Sequence, residues 1–186
     1  HYLFDIVLFT HLNVKTAQSF TTGETVTGGT SGATATVQSV STTESATITG
    51  ATQADPCVVT CSGGHNFKEG QQITIASVGG MTDINAVHTV RNPSSTTFEL
   101  FATDGTTAID TSGSSAYSSG GTAAHGVVIV SNVQGTFSAG ETITGGTSSN
   151  TAAIQADAVG FKGVTSHDFT AVKQIAMAGS PTFTAD

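Results

Sequence analysis

An eighteen-residue motif occurs twice in this chain, and any fold the chain adopts must house both copies. Phe20-Thr-Thr-Gly-Glu-Thr-Val-Thr-Gly-Gly-Thr-Ser-Gly-Ala-Thr-Ala-Thr-Val37 returns as Phe137-Ser-Ala-Gly-Glu-Thr-Ile-Thr-Gly-Gly-Thr-Ser-Ser-Asn-Thr-Ala-Ala-Ile154. The copies begin 117 positions apart in a chain of 186 residues. This is a duplicated unit split by a long insertion, not a tandem array.

Each copy reads as a β-hairpin. Glu24 and Val26, then Ala33, Ala35 and Val37, follow the period of two of half-buried strands, and Gly28-Gly29-Thr30-Ser31-Gly32 supplies residues that tolerate a turn between them. Glu141 to Ile143 and Ala152 to Ile154 repeat the pattern around Gly145-Gly146. A β-rich strand precedes each hairpin, Phe4 to Leu12 in one case and Gly126 to Val133 in the other. Two such strand-plus-hairpin units can cover one another's apolar faces, which neither can do alone. They are therefore expected to pack together as one discontinuous domain, residues 1–45 and 123–186.

The insertion, residues 46–122, carries a second series of short strands: Ala46 to Thr49, Cys57 to Thr60, Gln72 to Ile75, His88 to Val90 and Thr97 to Phe101. Gly63-Gly64, Gly79-Gly80, Asn92-Pro93 and Asp104-Gly105 punctuate them at the spacing of a small barrel or sandwich. No window sustains a 3.6-residue period with caps at both ends, so the expectation is an all-β chain with at most a helical turn near Thr82-Asp-Ile-Asn85.

Composition narrows the function. Charged residues are only 10% of the chain, and 5 Lys and Arg against 13 Asp and Glu give a net charge of −8. No cationic surface is available to neutralise phosphates, so nucleic acid is not an expected partner. No stretch approaches the roughly 20 apolar residues of a spanning helix, since Asp5 interrupts the apolar opening Tyr2 to Phe9; membrane insertion is not expected. That opening lacks the basic flank of a secretory signal and begins with His1 rather than Met, as expected of a fragment of a longer protein. Hydrophobic content of 37%, gathered in short Val, Ile and Phe runs, is enough to bury a core.

The run His65-Asn-Phe-Lys-Glu-Gly-Gln-Gln-Ile-Thr-Ile75, then Gly79-Gly-Met-Thr-Asp-Ile-Asn85, Thr97 to Leu100, Asp104-Gly105 and Tyr117-Ser-Ser-Gly-Gly121 resembles the FCCH-like β-barrel module, over about 70 residues. That module is named after a half-domain of ubiquitin-activating enzymes and is common as an insertion in phage tail proteins. In those enzymes the nucleophilic cysteine lies outside the module, so the resemblance passes no catalytic role to Cys57 or Cys61. The duplicated Phe-x-x-Gly-Glu-Thr-Val/Ile-Thr-Gly-Gly-Thr-Ser motif is similar to a module of long virion structural proteins, especially of cyanophages. The outer segments His1 to Thr10 and Phe169 to Met177 likewise resemble parts of tail tube, nozzle or baseplate proteins.

No residue set meets the requirements of catalysis, cofactor binding or metal ligation. There is no Gly-x-Ser-x-Gly elbow, no His-Glu-x-x-His pair and no nucleotide-binding glycine pattern, and the Gly-Gly-Thr-Ser stretches lack the lysine of a phosphate loop. Cys57 and Cys61, four apart on a strand, stand roughly 13 Å apart, beyond disulfide reach, and read as small buried hydrophobes. Asp104 to Asp110 lacks oxygen ligands at alternate positions and reads as a turn rather than a calcium loop. Glu24 and Glu141 occupy equivalent places, as paired carboxylates of a glycoside hydrolase could, but duplication accounts for the pairing and each is expected on the solvent face of its own hairpin. His65 and His125 read as turn or packing residues. With two Tyr and no Trp there is little aromatic surface for sugars.

The expectation is a non-enzymatic structural component of a bacteriophage tail, without cofactor. Its partners would be other copies of itself and neighbouring virion tail proteins, in the virion and, during assembly, in the host cytoplasm. The alternative is a receptor- or carbohydrate-binding module that meets a host surface glycan, with Ser112-Gly-Ser-Ser-Ala-Tyr117 as a contact loop.

Overall fold

The computed structural model describes residues 8–16, 18–157 and 161–166. The segment Phe169 to Met177 and most of His1 to Thr10 lie outside these residues. The described chain is all-β, as expected, with a single 3-10 turn at Thr82–Ile84.

The strands are β1 (Thr10–Val14), β2 (Thr25–Gly28), β3 (Thr34–Ala51), β4 (Val58–Cys61), β5 (Gln72–Ala76), β6 (Val87–Arg91), β7 (Thr97–Phe101), β8 (Thr122–Gln134), β9 (Thr142–Gly145), β10 (Thr151–Ala153) and β11 (Val164–Ser166). All belong to one antiparallel sheet.

Two strands are far longer than the rest. β3 has 18 residues and β8 has 13, and they pair antiparallel from Thr34↔Gln134 to Thr47↔Thr122. At about 3.3 Å per residue such strands outrun any one small barrel. Each therefore serves two. At one end β3, β4, β7, β6, β5 and β8 pair in a closed ring, because β8 returns to β3. At the other end β8, β1, β10, β9, β2 and β3 form a second ring. The bridge Val14↔Ile154 closes it, with Lys15 N–H donating to Ala153 O at 2.9 Å and Gln155 N–H to Asn13 O at 2.7 Å. β11 adds to the outer side of β1.

Each ring encloses its own apolar cluster. Ile48, Val59, Phe67, Ile73, Met81, Ile84, Phe98 and Leu100 are among the residues that fill the first. Leu12 and Val14 join Phe20, Val26 and Val37 from one repeat, and Phe137, Ile143 and Ile154 from the other, in the second.

The alternation along the shared strands shows how the chain passes between them. On β8 the inward residues are Ala123 and His125 at one end but Gly126, Val128 and Val130 at the other, a change from odd to even positions. β3 changes likewise, from Ala35 and Val37 to Ala46 and Ile48. Side chains alternate faces along a strand, so the two cores lie against opposite faces of the shared ribbon. Register shifts between Val37 and Ser39, and between Ser41 and Glu44, bend the ribbon where the change occurs.

The sequence reading broke the chain near 45/46, whereas the backbone continues unbroken through this point as β3. Ser, Thr and Glu at 41–45 are poor in apolar residues because this stretch lies between cores, not because it is a linker.

A shared ribbon couples the two cores. Phe98→Ala and Ile143→Ala, in different barrels, should each destabilise by about 2–5 kcal/mol and lower the midpoint of one common urea transition followed by circular dichroism. Two resolved transitions, each sensitive to one substitution, would show that the barrels unfold separately.

Candidate functional site

The two copies of the repeated motif meet along β2 and β9. Their register is Val26↔Gly145, Thr27↔Thr144 and Gly28↔Ile143, so Thr27 faces its own counterpart and the pairs on either side are reciprocal. A local twofold axis thus passes between Thr27 and Thr144, and whatever one repeat donates it must also receive.

What is exchanged is a carboxylate. Glu24 Oε2 accepts backbone N–H bonds from Thr147 and Ser148, each at 2.9 Å, and its Oε1 accepts the Ser148 hydroxyl at 2.8 Å. Oε1 also takes the N–H of Thr21 in its own repeat at 2.6 Å. Glu141 reproduces this atom for atom. Its Oε2 accepts from Thr30 N–H at 3.0 Å and Ser31 N–H at 2.9 Å, and its Oε1 from the Ser31 hydroxyl at 2.8 Å and Ser138 N–H at 2.7 Å. Backbone bonds complete the exchange, Gly29 N–H to Thr142 O and Gly146 N–H to Thr25 O, both at 2.8 Å.

This corrects the expected position of the two acids. Glu24 and Glu141 are not on the solvent face but are 5% and 6% exposed. Burying a carboxylate is costly unless its oxygens are satisfied, and four donors at each site satisfy them. The Gly-Gly-Thr-Ser stretch is thus an anion cradle made of backbone N–H groups, and its anion is the glutamate of the other repeat. All four carboxylate oxygens are engaged, an arrangement for holding two hairpins together rather than for moving protons.

The glycines follow from this. A Cβ on Gly28 would stand 2.7 Å from both Glu141 carboxylate oxygens and 2.5 Å from Ser31 Oγ. One on Gly145 would stand 2.7 Å from Glu24 Oε2 and 2.4 Å from Ser148 Oγ. Glycine at these positions keeps the cradle open. From sequence, Thr30, Ser31, Thr147 and Ser148 read only as turn residues in stretches without the lysine of a phosphate loop, although their identity in both copies, beside an equally repeated Glu, was the available signal.

The donors also set the acidity. The Ser148 N–H, with those of Thr147 and Thr21 and the Ser148 hydroxyl, outweighs burial and brings Glu24 from 4.5 to about 2. For Glu141 burial pushes upward, but Ser31, Ser138 and Thr30 prevail and hold it below its ordinary value.

The remaining candidates lie elsewhere. His65 donates from Nε2 to Thr97 O at 3.2 Å and packs on Phe67 and Phe98, with ring centroids 5.1 and 5.0 Å away. His125, 5% exposed, lies at the junction of the barrels with Nε2 2.7 Å from Gln71 Nε2 and 3.0 Å from Glu44 Oε2. Glu44 and His65 also line a cleft of about 520 Å³. Glu44 carried no sequence signal, and Gln71 only its place in the run His65 to Ile75. Asp104 caps its own turn, accepting from Thr107 Oγ1 at 2.6 Å and from the N–H groups of Thr106 and Thr107, contacts that lower it to about 2. Cys57 and Cys61 are unbridged and buried in the first core, and burial raises both thiols, Cys61 to about 11. Among the described residues no three His, Cys, Asp or Glu side chains converge as a metal would require, and no helix is long and apolar enough to cross a membrane.

Residues 54–126 match the family model described as the ubiquitin-activating enzyme E1 FCCH domain. The match runs from the loop after β3 through β4, β5, β6 and β7 into the first part of β8, and leaves the duplicated hairpins outside it. No curated protein matches the chain.

Three outcomes are expected. A carboxyl whose folded value lies below its unfolded one contributes stability above the unfolded value and loses it as pH falls. For Glu24 that loss spans about 4.5 to about 2, so the urea midpoint should fall steeply over that window, and less steeply in an E24Q/E141Q double variant; equal slopes would remove the clamp from the stability of the fold. Gly28→Ala should cost about 1–3 kcal/mol by forcing the Glu141 carboxylate from its cradle, read from the same urea curves. Both thiols should resist a thiol-specific chromogenic reagent at pH 8 in the native protein and react fully in urea, because thiolate formation inside the core is disfavoured.

Proposed function

We propose that this chain is a structural segment of a bacteriophage tail, of the tube, nozzle or baseplate, acting as an assembly or decoration module. The observation that carries this reading is the use made of the duplicated carboxylates. In a hydrolase, Glu24 and Glu141 would face a common cleft with oxygens free for substrate; here each is tied at both oxygens to the opposite repeat. The motif that dominates the sequence is a fastener, and a fastener suits a protein whose role is to hold shape. The resemblance of the flanking repeats to virion modules, and the frequency of FCCH-like barrels in phage tail proteins, supply the context.

On this reading the partners are other copies of the same chain and neighbouring tail proteins. Leu8 and Phe9, 53% and 38% exposed, lie at the entry to β1 and support contact there. Closed symmetry turns such small apolar contacts into a stable collar by repetition. Cryo-electron microscopy of the intact particle, with the segment located by an antibody raised against it, should find several copies about a symmetry axis with β1 near a neighbour. A single unsymmetrised copy, or no labelling of particles, would sink the proposal. Glycan-array binding by the isolated segment, lost on substitution in Ser112 to Tyr117, would favour the host-recognition alternative instead.

A further inference from the structure

His125 has two neighbours that one ring nitrogen cannot serve together. Its Nε2 lies 2.7 Å from Gln71 Nε2 and 3.0 Å from Glu44 Oε2. The Gln71 amide is not free to turn to suit, because Lys68 N–H donates to its Oε1 at 2.9 Å. Its NH2 group therefore faces the ring as a donor, and Nε2 must accept. The ring proton is then on Nδ1, toward Gly126 O at 3.4 Å. In that state the Glu44 carboxylate faces a lone pair and receives nothing from the ring. When the ring takes a second proton from solvent the roles reverse: Nε2–H donates to Glu44 as an ion pair, and the Gln71 amide loses its acceptor.

We propose that His125 is a proton-driven switch at the junction of the two barrels, changing its partner from Gln71 when neutral to Glu44 when charged. The partners belong to different parts of the fold. Gln71 directly precedes β5 of the first barrel, while Glu44 lies on β3 where the ribbon shifts register and is paired with His125 itself. The surroundings leave the choice to these two. Phe67 covers one side of the imidazole at 6.0 Å, and His65 lies beyond Phe67, donating to Thr97 O. Glu69 is engaged by Arg91 and Asn92, and Lys68 meets the network through its backbone, its side chain being exposed.

The switch acts on the cleft beside it. Glu44 is the one acid among the lining residues, which include Ser45, Gly64, His65, Asn66 and Ser95. Its side chain is 31% exposed. With the ring neutral, the carboxylate stands 3.0 Å from Nε2 with no proton between them and its charge uncompensated; in acid the imidazolium pairs with it and offsets the negative charge at the cleft.

Nitrogen-15 NMR of the full chain, titrated from pH 8 to pH 5, tests this. At pH 8 the His125 ring should be in the Nδ1–H form, and on acidification the Gln71 side-chain amide should shift with the same midpoint as the ring. E44Q, which removes the acceptor of the charged ring, should move that midpoint down, and Gln71→Met, which removes the competing donor, should move it up. An Nε2–H ring at pH 8, or a Gln71 amide that stays still while His125 titrates, would overturn the switch; both readings come from the unsubstituted protein and do not depend on a variant folding.

Discussion

Neither barrel closes without the β3–β8 ribbon. Every other strand is short, and each ring of pairings returns to itself only through these two. Antiparallel strands of such length twist and bend, and the register shifts on β3 direct that bending to the stretch between the cores. The change of inward face on β8, from His125 to Gly126, follows directly. One ribbon lending a face to each of two cores is a compact way to join barrels, because the joint is backbone hydrogen bonding rather than a flexible linker.

The second barrel depends in addition on a symmetric exchange of charge. A buried carboxylate is destabilising unless several donors surround it, and neither repeat can supply four donors to its own glutamate. Each repeat provides one N–H near its glutamate and leaves the cradle for the other copy. Association of the two repeats is therefore required for either to be electrostatically satisfied. The antiparallel β2–β9 register aligns both cradles at once, so a slip of one residue would break both sites together. The clamp fixes register as well as affinity.

These features bear on the reading of the chain as part of a virion tail. A tail component works by keeping its shape while bearing load from neighbours, and here the buried polar groups lock strands to strands. The two buried glutamates hold hairpins, Gln155 Oε1 takes the N–H of Gln72 across the two barrels at 2.8 Å, and Thr111 Oγ1 ties Thr52 to its own loop at 2.7 Å. His125 differs from these, since its neighbours make competing demands on one nitrogen.

The sequence by itself determined that this is an all-β chain, where its strands fall in the inserted region, and that two equivalent hairpins exist. These are consequences of local alternation and of glycine placement, which act over a few residues: Thr97 to Phe101 became β7 with the same bounds. An FCCH-like barrel was also legible, from motif order between His65 and Gly121. What only the tertiary structure decided is which residues meet across 54 to 124 positions of the chain. The reading of Glu24 and Glu141 as solvent-facing failed because alternation says which residues share a face, not what covers that face, and the cover is the other repeat's Gly-Gly-Thr-Ser turn. The run of β3 through residue 45 was hidden because a strand crossing between two cores loses the apolar pattern that marks a strand. The meeting of Glu44, Gln71 and His125 had no local signature, since it depends on β3 and β5 both pairing with β8.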